Sequence, residues 1–540
     1  MIMSPTQPDE GEHTTYAPGR IDDRDLKATI AQVLDRWPCA GLAVAVIADG
    51  SLAWFHGHGL GDVMAKTPIT EDTVFRIGSL TKTFTAVAVM QLWEQGLVDL
   101  DAPANDYLRT FRLIPAKPSL SPATVRHLLT HTAGVGYWRR LSDLLQPGVG
   151  SGDRAGRSGA PPLAQYYRRG LPVEIEPGTK WAYSNHGFAA LGQIVEDVSG
   201  EPLDRYLRDR IFDPLGMEHT DLIRSERIRA HLATGYVLRS RGLKEVADRE
   251  VPTPGGGEMY STPADIARYV AALLRIAAKG HSSVLRPETL ATMFRPHFQP
   301  DPRVPGMGVA FELGEEGGER TVGKTGIVSG FHSAMAMAPE EGIGVLVFSN
   351  TGGLDGRGAP IPLATMLLRL WLGLSVDPIR TDIAPRPETW SEICGWYSPA
   401  PGPVTNLSLR ALMGAGPEIV VQGGHLMLKP LTPIPGALLV LAWIRRKMPD
   451  PAASENASAP SAPTTVREAP QLQWPWPSAR SLPTAFWLFA AVQGAAAITG
   501  GTLAGALYDR SLPALIATVA ATQLTALVLL AVTLRRDHDR

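Results

Sequence analysis

Ser79-Leu80-Thr81-Lys82 opens an apolar stretch that continues through Thr83, Phe84, Val87, Val89, Met90, Leu92 and Trp93 to a stop at Gly96. Apolar residues fall on nearly every side of that stretch, which predicts a buried helix rather than a surface one. Ser79 and Lys82, three apart, share a face in the first turn, at the end where amide N–H groups point outward. A serine hydroxyl is a poor nucleophile at neutral pH unless a base lies within hydrogen-bond reach. An amine in apolar surroundings loses its proton more readily than one in water, so Lys82 qualifies as that base. Taken alone the pair also reads as a capping serine and a solvated lysine, so the weight falls on what the rest of the chain adds.

Downstream, Pro177-Gly178-Thr179-Lys180-Trp181-Ala182-Tyr183-Ser184-Asn185 sets a phenol and an amide two apart on a turn. Later, Val322-Gly323-Lys324-Thr325-Gly326-Ile327 supplies a second lysine and a hydroxyl followed by a glycine. With these stretches in this order the chain resembles the serine β-lactamase and penicillin-binding superfamily. The likeness is to class C β-lactamases, D-peptidases and related esterases, which carry Tyr-x-Asn rather than Ser-Asp-Asn as the middle element. Val125-Arg126-His127-Leu128-Leu129-Thr130-His131-Thr132-Ala133-Gly134 and Ile211-Phe212-Asp213-Pro214-Leu215-Gly216-Met217 resemble further signatures of that family. Gly255-Gly256-Gly257, Ser261-Thr262-Pro263-Ala264-Asp265 and Gly330-Phe331-His332-Ser333 complete the series in family order, over about residues 25 to 372.

The resemblance implies that Ser79 attacks a carbonyl while Lys82 and Tyr183 share proton transfer, with Asn185 orienting substrate and Lys82. It places the oxyanion donors at the backbone N–H groups of Ser79 and Ile327, and makes Thr325 and Gly326 substrate-binding residues. Lys324 brings a second positive charge, which favours a neutral Lys82, an ionised Tyr183 or a carboxylate on the substrate. Nothing marks a dedicated deacylation glutamate, so Tyr183 or substrate-assisted water activation has to serve. No cofactor and no metal is called for.

Two other patterns compete for the same letters. Gly318-Glu319-Arg320-Thr321-Val322-Gly323-Lys324-Thr325 satisfies Gly-x4-Gly-Lys-Thr, which binds nucleotide only between a strand and a helix. Here Gly326-Ile327-Val328-Ser329-Gly330 follows, which reads as strand, and Glu315, Glu316 and Glu319 would repel phosphate, so no nucleotide is expected. His127 and His131, four apart on an expected helix, have metal-ligand spacing without a suitably placed third ligand, and read as structural. Glu315 and Glu316 read as a solvated loop.

At 540 residues the chain exceeds one ordinary domain, and a net charge of −2 with dispersed Lys and Arg argues against nucleic acid. The 2 cysteines, Cys39 and Cys394, lie far apart in apolar company; one disulfide is arithmetically possible, but they read as two buried thiols.

The expected fold is α+β: an antiparallel sheet flanked by helices, with an inserted, mainly helical lobe, over residues 21–376 after a flexible 1–20. Asp25, Leu26, Ile30, Val33, Leu34 and Trp37 make an amphipathic first helix. Leu42 to Ile47 and Leu52 to Phe55 make a hairpin about Asp49-Gly50, and Pro360 to Gly373 a closing helix. A second hairpin is expected between the Lys324 strand and Ile343 to Phe348, through Pro339-Glu340-Glu341-Gly342, with the site between an edge strand bearing Lys324 and the helical lobe. Gly148 to Pro162, rich in Gly, Ser and Arg, reads as a mobile loop near the site. Residues 387–447, with strands expected at Leu407 to Ala411, Glu418 to Gln422 and Leu426 to Leu431, resemble the small β-domain that follows many such hydrolases. That span is too short for a full lipocalin-type barrel, so a truncated one is expected. Residues 448–482 are a Pro/Ala/Ser-rich linker.

Ser481 to Tyr508 and Ser511 to Leu534 contain no charged residue. A helix of about 20 apolar residues crosses a bilayer, so a two-helix transmembrane hairpin is expected at 483–534, closed by a basic tail at 535–540. Gly501-x-x-x-Gly505 suits close packing of the pair, and Trp474, Trp476 and Trp487 suit the interface. Arg480 before the hairpin and Arg535, Arg536 and Arg540 after it favour the cytoplasm, and Met1 to Gly19 lacks the pattern of a signal peptide. The expected protein is a multi-pass, membrane-anchored serine hydrolase facing the cytoplasm, acting on small acyl, ester or D-amino-acid compounds. The competing reading is a non-turnover, penicillin-binding type of receptor, in which acylation at Ser79 persists. These letters do not separate β-lactamase from D-peptidase or esterase, nor Lys82 from Tyr183 as the base, and they leave the oligomeric state open.

Overall fold

Gly41–Ala48 is apolar on both of its faces, a pattern that requires a strand covered from both sides. It forms β1, and Ser51–Asp62 returns beside it as β2 about the left-handed Asp49 and Gly50, as the sequence predicts. The structure, a computed structural model, describes residues 22–136, 162–239, 242–248, 253–279, 284–301, 306–353, 358–376, 388, 390, 394–396, 418–422 and 425–429. Thr67–Pro68 adds the short β3. The chain then leaves the sheet for a long, mainly helical excursion and returns with Gly306–Met307 (β4), Glu312–Glu316 (β5), Glu319–Val328 (β6), Phe331–Ala338 (β7) and Ile343–Ser349 (β8). The eight strands run in the order β4-β5-β6-β7-β8-β1-β2-β3, every neighbouring pair antiparallel.

Strand alternation divides the apolar residues between two cores. Val44, Val46, Val345 and Val347 pack with Leu26, Ile30 and Val33 of α1 (Asp23–Arg36) and with Leu363 and Leu367 of the closing helix (Pro360–Trp371). Ala43, Ala45, Ile47, Leu346 and Phe348 point the other way, toward the helical lobe. That lobe contains α2 (Thr81–Glu94), α3 (Asn185–Ser199) and α4 (Pro263–Lys279). Thr81 to Leu92 is buried throughout, in accord with its apolar residues on every side.

Three sequence expectations are corrected. The turn at Pro339 to Gly342 joins β8 to β7, so the Lys324 strand is separated from β8 by a strand that begins at Phe331, right after the left-handed Gly330. The Lys324 strand is accordingly not the edge: β4 and β5 lie outside it. Glu315 and Glu316 are part of β5 rather than a solvated loop, and the Arg369 Nη1 donates to Glu316 Oε2 at 2.7 Å. The charges in Glu312-Leu313-Gly314-Glu315-Glu316 conceal a strand because an outer strand gains from polar residues that deter further pairing.

Gly395–Trp396, Glu418–Gln422 and His425–Lys429 form a separate three-stranded sheet, the last starting one residue before its expected position. Cys39 and Cys394 are free and half-buried, and burial pushes the Cys39 thiol up to about 11 against a small opposing pull from Ser349. The N-terminal segment, the 148–161 loop, the expected strand at 407–411, the linker and both apolar spans fall outside the described residues. Among the described residues no helix is long and apolar enough to cross a membrane.

Candidate active site

Ser79 sits in a tight helical turn, Gly78–Leu80, that runs straight into α2. The turn is pinned by Thr81, whose Oγ1 donates to the Gly78 carbonyl at 2.6 Å and accepts from the Met259 N–H at 3.2 Å. Gly78 has φ of +54°, and a Cβ there would lie 2.8 Å from the Ile327 nitrogen. Only glycine lets the serine turn and the strand backbone approach this closely. The contact sets Ile327, one of the two residues expected to supply the oxyanion donors, against the residue that precedes the other.

Lys82, one turn on, is fully buried. Its Nζ donates to Ser79 Oγ at 3.1 Å, to Asn185 Oδ1 at 2.6 Å and to the Gly256 carbonyl. Burial depresses its pKa, the Lys324 charge adds to that, and Tyr183 opposes both. Tyr183 Oη lies 2.6 Å from Ser79 Oγ, so the half-buried hydroxyl of the serine is held between an amine and a phenol. For the phenol, burial works upward but is outweighed by Lys82, Lys324 and hydrogen bonds from Lys82 and Ser79, leaving its pKa below the usual 10.0. Lys82 Nζ stands 4.8 Å from the centre of the Tyr183 ring and Lys324 Nζ 5.4 Å.

Tyr183 and Asn185 are placed by the start of α3. Ser184 is its N-cap, accepting from the Gly187 N–H at 3.1 Å and donating to the Gly136 carbonyl at 3.1 Å. Asn185 is therefore the first helical residue, with Tyr183 in the extended chain before it. The Gly256 carbonyl reaches Lys82 because Gly255 and Gly256 lie against the α3 backbone. A Cβ on Gly255 would meet the Phe188 carbonyl at 2.7 Å, and one on Gly256 the Asn185 carbonyl at 3.0 Å.

Lys324 reaches the same place from the sheet. It is 2% exposed and donates to Glu312 Oε1 on β5 at 2.7 Å. Burial works to lower its pKa, but Glu312 and Tyr183 prevail and hold it above 10.5. Two residues on, Gly326 seats the strand: a Cβ there would fall 2.1 Å from the Ile77 carbonyl and 2.2 Å from Ser333 Oγ. Ser333 in turn donates to the Ile77 carbonyl at 2.8 Å. Thr325, half-buried, lies on this strand in register with Ala334. Ser79, Lys82, Tyr183, Asn185 and Lys324 thus converge, with Thr325, Gly326 and Ile327 on the strand that borders them.

Three participants have parts in the site that the sequence does not reveal. Glu312 gives no signal of its own; only the pairing of Glu312 with Gly323, the residue before Lys324, puts it there. The Gly256 carbonyl was legible only as a glycine run, the usual mark of close backbone approach. His131 is not one helical turn from His127, because the helix ends at Leu129 and His131 is left-handed with φ of +59°. Its buried ring lies 4.4 Å from the Tyr183 ring, and Nδ1 accepts from the Ser184 N–H at 3.2 Å. Burial, then Lys324 and Lys82, hold its pKa well below 6.5, so it is neutral. Among the described residues no cluster of metal-ligating side chains occurs. The Gly318 to Thr325 run passes along a strand followed by another strand, not the helix a phosphate loop needs.

The family model described as Beta-lactamase matches residues 26–367. The chain is 28% identical over 344 residues to Unguisins hydrolase ungD' of Aspergillus campestris, covering 61% of this chain and 62% of that protein. It is 35% identical over 209 residues to Esterase EstB of Burkholderia gladioli, covering 37% of this chain and 52% of that one. The chain thus spans between about half and two thirds of the length of these relatives. Among solved structures, the octameric penicillin-binding protein homologue from Pyrococcus abyssi superposes with a TM-score of 0.58 at 26% identity, over 76% of this chain and 88% of that one. The matched span encloses every side chain that converges on Ser79, and the chain belongs to the beta-lactamase family of serine hydrolases.

Proposed function

We propose that the protein cleaves an ester or amide bond of a small acyl or D-amino-acid compound through an acyl-enzyme on Ser79. One observation carries this reading: Ser79 Oγ lies within hydrogen-bond distance of both Lys82 Nζ, at 3.1 Å, and Tyr183 Oη, at 2.6 Å. Both groups have pKa values lowered from their ordinary range, so one of the pair is free to accept a proton nearer neutrality. The Ser79 proton passes to that base as Oγ bonds to the substrate carbonyl carbon. The carbonyl oxygen takes the negative charge facing the backbone N–H groups of Ser79 and Ile327. Tyr183 then protonates the leaving oxygen or nitrogen, the carbonyl re-forms, and the acyl group remains on Oγ. Water, giving its proton to the same pair, releases the acid and restores the serine.

The test follows product and intact mass together, for the whole chain and for Ser79→Ala, with p-nitrophenyl butyrate, nitrocefin and a D-Ala-D-Ala peptide. Serine-dependent turnover of any of these is the expected result. Turnover that survives Ser79→Ala overturns the nucleophile. A lasting mass increase on Ser79 without turnover replaces hydrolysis with the receptor reading.

We further propose that the two uncharged spans, 481–508 and 511–534, tether the enzyme as a helical hairpin with its catalytic part toward the cytoplasm. The full chain should stay in the membrane pellet after an alkaline carbonate wash. Release into the supernatant would dismiss the tether, and protection of the catalytic part from protease in vesicles with the cytoplasmic face outward would dismiss the sidedness.

A further inference from the structure

The ion pair at the sheet side of the site bears on what the site accepts. Lys324 is 2% exposed, whereas Glu312, the partner of its ammonium at 2.7 Å, is 47% exposed. The carboxylate is thus the part of the pair that solvent and an incoming molecule meet. Its backbone stands opposite Gly323, the residue before Lys324, and its side chain reaches the Lys324 ammonium. The hairpin that sets this register turns at Gly317 and Gly318, whose φ angles are +62° and +95°. Lys82 Nζ, the other side-chain nitrogen at Ser79, already has Ser79, Asn185 and the Gly256 carbonyl within hydrogen-bond distance.

The geometry points to Glu312 as the residue that sets the substrate class: it holds the anion position at Lys324, so the site favours acyl donors whose leaving group is uncharged over those whose leaving group carries a carboxylate. This rests on the acyl-enzyme reading above and adds the charge of the substrate to it. Two oxygens that share one ammonium nitrogen at hydrogen-bond length lie no more than about 5.5 Å apart. A substrate carboxylate bound to Lys324 would therefore sit beside the Glu312 carboxylate, and like charges at that range disfavour binding by roughly tenfold or more. An amide or alkyl group in the same place meets no such penalty.

The experiment uses the whole chain as wild type, Glu312→Gln and Glu312→Asp. Each is given N-acetyl-D-alanyl-D-lactate as the free acid and, separately, as its C-terminal amide, with released lactate or lactamide quantified by chromatography. The readout is the ratio of kcat/KM for acid over amide, which a general loss of fold or rate does not move. We expect wild type to favour the amide, Glu312→Gln to raise the ratio at least tenfold, and Glu312→Asp, which keeps the charge, to stay near wild type. An unchanged ratio in Glu312→Gln overturns the assignment.

A second pair reads the same selection without turnover: binding of 3-carboxyphenylboronic acid against 3-carbamoylphenylboronic acid, which engage a nucleophilic serine as adducts. Glu312→Gln should tighten the acid relative to the amide at least tenfold. Adducts on Ser79 with an unchanged ratio refute the role of Glu312 alone. No adduct with either boronate, and no cleavage by a folded wild type, removes the hydrolase reading and this inference with it.

Discussion

Lys324 acts on its neighbours chiefly through charge. It lowers the pKa values of Tyr183 and of Lys82 and His131, the two groups packed with it around that phenol ring. Replacing it by Gln removes a positive charge, so the protons of Lys82 and Tyr183 are held more tightly and the base form is reached at higher pH. The alkaline-rising limb of kcat/KM for Lys324→Gln should move upward by about 1 unit or more, since charges at this separation shift pKa values by roughly 1–3 units. The limb belongs to the coupled Lys82–Tyr183 pair rather than to either residue. A limb that stays in place would mean that Lys324 serves binding alone. His131 makes a different prediction. Its folded pKa lies well below 6.5, its ordinary value, so below that pH the unfolded chain takes up a proton that the native protein refuses. Stability is present above pH 6.5 and falls as the solution is acidified, by up to about 1.4 kcal/mol per pH unit from this group. His131→Asn should flatten that slope; urea midpoints at pH 7.5 and 5.5 for both proteins measure it.

Among the elements, the serine turn and the Lys324 strand meet backbone to backbone, at Gly78 against Ile327 and at Gly326 against Ile77. Gly326→Ala would insert a methyl where 2.1 Å separates it from a carbonyl oxygen, which the strand and the turn can relieve only by moving apart. A loss of about 1–3 kcal/mol is expected from such overpacking, together with a fall in activity larger than the unfolded fraction accounts for. Thermal melts and active-fraction kinetics on the same sample check both. This joint also shows what letters disclose and what they hide. The α2 helix was legible because Phe84, Val87, Met90 and Leu92 are apolar all round, and β1 because Gly41–Ala48 is apolar on both faces. The outer strand β5 was not, since Glu312 and Glu315 supply the charges that an outer strand tolerates and a loop also shows. Without β5 the Lys324 strand reads as the edge, and nothing in the letters sets Glu312 beside Lys324. The residues of the site itself were read from motif order; their partners came from pairing register, which no local pattern encodes.

Across the whole molecule the sheet separates two apolar cores with different duties. Leu363, fully buried, belongs to the core between the sheet, α1 and the closing helix, whereas Leu80 and Phe84 beside Ser79 belong to the other. Leu363→Ala should therefore cost about 2–5 kcal/mol of stability while leaving kcat per folded molecule within about twofold; denaturant titration and active-site-normalised rates test this. A fall in kcat per folded molecule would show the two faces to be mechanically coupled. The long excursion between β3 and β4 has one more consequence, which concerns time. Ser333 and the Ile77 carbonyl it clamps are 256 residues apart in the chain. At about 5–20 residues per second, a ribosome takes roughly 13–50 s to deliver the second after the first. Throughout that interval the nascent chain displays a serine and a lysine whose second ammonium and strand backbone have not yet been made. On the acyl-enzyme reading proposed above, the chain is unarmed at birth, and Ser79 is expected to react as an ordinary hydroxyl until Lys324 and its strand arrive.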